Sequence, residues 1–97
     1  MTRLDHALDE IESHLCYDGI TCDRDERGVI VALPAWRRAV ADGQATDDGL
    51  RGLGRYCASI LDYERLDDIA VIVEPSAGPS PWLDGDELIV QAVAVEF

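Results

Sequence analysis

The sequence predicts an α+β fold: a four-stranded, largely antiparallel sheet packed against two main helices and one short helix. Three observations carry this. Apolar residues recur at helical spacing over residues 2–17 and 46–63. Branched apolar runs at 29–33, 69–73 and 88–95 read as strands. The resulting order, α-β-β-α-α-β-β, places helices between strands two and three and permits one right-handed parallel crossover there. Residues 1–97 read as one domain, long enough to bury roughly two thirds of the extended-chain surface.

The first helix carries Leu4, Leu8, Ile11 and Leu15 on one face, with Ala7 beside them. Thr2 accepts from a free N–H of the first turn, and Asp5 follows three residues later, a capping-box spacing. Asp18-Gly19 ends it, because glycine tolerates the left-handed exit. Strands are expected at 20–23 and 28–33, around the charged reversal Arg24-Asp25-Glu26-Arg27. Pro34 suits the first turn of a short helix over 35–42 that presents Trp36, Ala39 and Val40.

Thr46-Asp47-Asp48 opens the next helix, which buries Leu50, Leu53, Cys57, Ile60 and Leu61. Gly54 lies near that stripe and reads as a point of close approach to the sheet. Strands follow at 69–74 and 87–97, joined by a proline-rich loop. Asp84-Gly85 is a hairpin-type turn signal there, with Trp82-Leu83 as a short additional strand.

Charge is the most unusual property. Twenty acidic residues face eight basic ones, all arginine, for a formal net charge of -12. This composition resembles that of cytoplasmic proteins from salt-loving archaea, which wear solvated carboxylates and little lysine. The resemblance covers the whole chain and brings no functional residues with it. It implies a cytoplasmic, halophilic protein whose stability rises from about 0.1 to about 2 M KCl, as the Debye length falls from about 10 Å toward 3 Å and below. A melting temperature flat over that range overturns the expectation. No apolar stretch reaches the roughly 20 residues that span a bilayer, so no membrane partner is expected. Acidic residues at 5, 9, 10 and 12 argue against a signal peptide.

Catalytic signatures are missing. There is no phosphate-loop, dinucleotide or nucleophile-elbow motif, and no cofactor is implied. Cys57 lies in a helical apolar stripe, where a thiolate is disfavoured. Asp23-Arg24-Asp25-Glu26-Arg27-Gly28 begins like a calcium loop but has arginine at the fifth position and Pro34 at the twelfth. The expectation is a protein that is not an enzyme.

Three binding readings remain. The last strand is apolar on both faces, which predicts self-association as a homodimer through Val90, Ala92, Ala94 and Phe97, with Trp82 and Leu83. The competing reading is that the Trp36 helix and the Trp82 loop cover the second sheet face. Trp36, Arg37 and Arg38 form the densest positive spot, suited to an acidic partner; for nucleic acid the electrostatic signature is mostly absent. His14, Cys16 and Cys22 are the nearest approach to a metal cluster, without a C-x-x-C knuckle and with any fourth ligand remote.

Overall fold

The computed structural model describes residues 2–43, 50–75 and 87–95. It contains α1 (Arg3–Tyr17), β1 (Cys22–Asp25), β2 (Gly28–Ala32), α2 (Leu33–Ala41), α3 (Leu50–Tyr63), β3 (Ile69–Pro75) and β4 (Glu87–Ala94). The α+β architecture is the expected one. The strand order is β1-β2-β4-β3, and each neighbouring pair is antiparallel. β2 and β3 therefore run in the same direction with β4 between them, so the expected parallel crossover skips one strand.

Local chemistry sets the boundaries. The Asp5 N–H donates to Thr2 Oγ1 at 3.1 Å and the Thr2 N–H returns to Asp5 Oδ2 at 3.4 Å, closing the capping box of α1. At the other end the Ile20 N–H donates to the Leu15 carbonyl at 2.9 Å, and Gly19 adopts φ +77°. This exit consumes Ile20, which is why β1 starts at Cys22 and not at residue 20. α2 starts at Leu33, earlier than expected, because Pro34 lacks only an N–H that the first helical turn leaves unused.

The three helices share one apolar core with one sheet face. Ala7, Ile11 and Leu15 of α1, Trp36 and Ala39 of α2, and Leu53, Cys57, Ile60 and Leu61 of α3 meet Val29, Val31, Leu88 and Val90. Leu50 was expected in that stripe but is 40% exposed. α3 lies close to β3 at Gly54, where a Cβ would sit 3.7 Å from Val73 Cγ2. Gly28 is constrained more tightly: its φ is +144°, and a Cβ there would lie 2.2 Å from the Val90 carbonyl oxygen. Only glycine lets β2 begin so close to β4.

Two expectations about the sheet are corrected. β4 is flanked by β2 and β3 and has no free edge; the outer strands are β1 and β3. The Trp36 helix reaches the second face only through Ala35, because Trp36 and Ala39 pack in the same core as α1 and α3. On that second face Ile30, Ala32 and Ile89 are buried, with Ala35 packed against the first two, while Ile72 is 40% exposed.

Candidate functional site

A concave feature among the described residues lies between the C-terminal halves of α1 and α3. It is an open groove of about 340 Å³ lined by Glu10, Ser13, His14, Tyr17 and Tyr63. Helical geometry explains the α1 side. Glu10, His14 and Tyr17 are four and three residues apart, so they stack along one face. That face is adjacent to the buried stripe and looks across to α3.

The opposite wall comes from the exit of α3. Tyr63 is its last residue and Glu64 follows. Tyr17 and Tyr63 are 90% and 78% exposed, unusual for rings of that size. The His14 and Tyr63 rings meet edge to face, centroids 6.0 Å apart. His14 Nε2 lies 3.2 Å from Glu64 Oε1. Glu10, His14 and Glu64 each offer one ligand atom, and these atoms lie within 4.8 Å of one another; all three residues are half-buried.

Behind His14 is a second groove of about 260 Å³, lined by His14, Asp18, Tyr56, Ser59, Ile60 and Tyr63. His14 thus stands between two openings. Tyr56 anchors the region. Its hydroxyl donates to Asp18 Oδ2 at the α1 C-cap, and its ring packs edge to face on Trp36, centroids 5.6 Å apart. Burial, together with the Asp18 carboxylate, pushes the Tyr56 phenol well above its usual 10. This tyrosine is a structural brace.

An imidazole nitrogen flanked by two carboxylates is a donor set that suits zinc, manganese or ferrous iron. Two ligands on one tetrahedral zinc at about 2.0–2.1 Å are about 3.3 Å apart. The His14–Glu64 separation already matches that spacing, and the Glu10 ligand atom lies within 4.8 Å of both.

The residues singled out from sequence are distributed as follows. His14 is in the cluster, but Cys16 and Cys22 are not; their sulfurs face each other at 3.7 Å instead. Trp36 is fully buried, so it cannot contact a partner; Arg37 and Arg38 are exposed on α2. The Trp-Arg-Arg patch is therefore reduced to two arginines. Val90 is fully buried against the helices and Ala92 is packed on the same core, which removes both from a dimer surface; Ala94 is exposed. Trp82, Leu83 and Phe97 lie outside the described residues, as does the Asp84-Gly85 turn. Glu10, Glu64 and the two exposed tyrosines were missed. The four-residue spacing of Glu10 and His14 was readable in the sequence, but only the tertiary fold brings Glu64 to them. No family model, curated protein or solved structure matches the chain.

Proposed function

We propose that this protein is a metal-binding module that holds a divalent transition-metal ion through Glu10, His14 and Glu64 in the α1–α3 groove. The observation that supports this most is convergence of one imidazole and two carboxylates, from α1 and from the turn that follows α3, within 4.8 Å. The surrounding charge acts in the same direction. A net charge of -12 raises the local cation concentration and speeds cation encounter. Three protein ligands leave coordination positions open for water or a small anionic ligand. The open groove beside Tyr17 and Tyr63 gives such a ligand room.

Titration calorimetry with zinc, manganese and cobalt chlorides tests the reading. One equivalent should bind, and His14→Ala should weaken the binding at least about tenfold, while His6→Ala should leave it intact. Binding should also weaken as the solution is acidified, because protons compete for the ligands. Equal affinity of the wild type and His14→Ala removes the proposal.

Self-association is a second reading, favoured by a separate observation. β3 is an outer strand, and Ile72 lies exposed on the sheet face away from the helices, beside half-buried Ala70 and Val93. This moves the candidate dimer surface from β4 to β3. Like charge opposes such a dimer at low salt, so it should form only in concentrated KCl. Light scattering at about 2 M KCl that gives a monomer mass, unchanged by Ile72→Glu, rules it out.

A further inference from the structure

Cys16 and Cys22 approach each other from the two ends of the α1–β1 connection. Cys16 lies in the last turn of α1 and Cys22 opens β1. Between them Gly19 reverses the chain at φ +77°. The two sulfurs are 3.7 Å apart. A disulfide needs about 2.05 Å, so the sulfurs must close by about 1.7 Å, a distance within reach of small side-chain rotations. The pair is accessible as well as close: Cys16 is exposed, and an open groove of about 280 Å³ is lined by Cys16, Gly19, Ile20, Thr21 and Cys22.

We propose that Cys16 and Cys22 form a reversible dithiol–disulfide site that exchanges with low-molecular-weight disulfides of the glutathione class. In the first step the Cys16 thiolate attacks one sulfur of the small disulfide. A mixed disulfide forms, the small disulfide's own S–S bond breaks, and one small thiolate leaves. In the second step Cys22 gives its proton to water and attacks the Cys16 sulfur. The Cys16–Cys22 bond forms, the mixed disulfide breaks, and the second small thiolate leaves with the electron pair. The protein loses two hydrogen atoms and is oxidised, and the small disulfide is reduced to two thiols.

The two cysteines divide the labour by their surroundings. Cys16 faces solvent and meets the small disulfide first. Burial pushes the Cys22 thiol up to about 12, and its contact with Cys16 adds to this. Cys22 is half-buried and its sulfur lies 3.7 Å from that of Cys16, so it is placed to attack the Cys16 sulfur once the mixed disulfide has formed. Cys57 takes no part, being fully buried with its own thiol pushed up to about 12 by burial. Closure staples the last turn of α1 to β1, two residues beyond His14.

Peptide mapping of the wild-type protein tests the proposal without any variant. The protein is incubated with oxidised glutathione and a chelator, quenched in acid, alkylated while denatured and cut with trypsin. Cleavage after Arg3 and Arg24 leaves Cys16 and Cys22 in one peptide, and cleavage after Arg55 and Arg65 leaves Cys57 in another. The first peptide should lose two hydrogen atoms and take up no alkyl group, the second should take up one, and dithiothreitol should reverse the change. A persistent glutathione adduct on the first peptide, two alkyl groups on it, or disulfide-linked dimers each overturn the proposal. The chelator keeps the result independent of the metal-binding reading.

Discussion

Helices α1 and α3 leave the core by the same hydrogen-bond pattern but with different residues at the turning point. In α1 the Gly19 N–H donates to the Cys16 carbonyl at 3.0 Å and the Ile20 N–H to the Leu15 carbonyl at 2.9 Å. In α3 the Arg65 N–H donates to Asp62 at 3.1 Å and the Leu66 N–H to Leu61 at 2.8 Å. Both are Schellman exits, and both bury the flanking apolar pair. The left-handed position is Gly19 in one and Arg65, at φ +59°, in the other. An arginine there costs roughly 1 kcal/mol of backbone energy. Local preference and tertiary packing agree at the α1 exit; at α3 packing overrides preference, immediately beside the candidate ligand Glu64. Strain of this kind gathers where a site must be held in place.

If packing holds both exits, removing the buried leucine of each should do the most damage. Leu15→Ala and Leu61→Ala should each cost about 2–5 kcal/mol in chemical denaturation, with similar values. A Leu61→Ala cost well below that of Leu15→Ala means that the α3 exit is held by something other than its apolar pair.

The exits also differ in what they bring to the groove. Glu64 follows α3 and sits 3.2 Å from His14, whereas Asp18 follows α1 and accepts from Tyr56. Glu64→Gln should lower zinc affinity at least about tenfold, equivalent to about 1.4 kcal/mol. Asp18→Asn should change it by less than about threefold. Equal effects place the metal elsewhere. The backbone contrast should give smaller effects of opposite sign. Gly19→Ala should destabilise by about 1 kcal/mol, and Arg65→Gly should stabilise by up to about 0.5 kcal/mol, part of the relief being offset by the freedom of glycine in the unfolded chain. Thermal melts of the pair decide it; two changes of the same sign break the comparison.

The same contrast explains what was legible in the sequence. The α1 boundaries could be read from Thr2, Asp5 and Gly19 because each acts locally. The α+β class followed from periodicity, and the antiparallel pairing from the order of elements. Position within the sheet could not be read this way. β4 looks the same to periodicity whether it lies at an edge or between β2 and β3, so Val90 passed for a surface residue. Trp36 next to two arginines looked like a patch, yet its helix turns the indole inward and the guanidinium groups outward. Two of the three candidate ligands were local, Glu10 with His14. Glu64 is 50 residues away from His14 along the chain, and no pattern of spacing connects them.

The smallest expected effect lies where the start of α1 meets the segment after α3. Arg3 donates to both oxygens of Asp68, at 2.7 and 2.6 Å, in an exposed bidentate pair. Those hydrogen bonds, chiefly, hold the Asp68 carboxyl below its ordinary 3.8. A carboxylate with a lowered folded-state pKa binds protons more readily in the unfolded chain, so its contribution is complete well above pH 3.8 and is lost as pH falls through the lowered value. The melting temperatures of the wild type and Arg3→Gln should therefore differ slightly near neutral pH and converge in strong acid. The pair is open to solvent, so concentrated KCl should narrow the gap at every pH. A gap that survives at about pH 2 means that Arg3 stabilises the junction through the packing of its aliphatic stem and not through its charge.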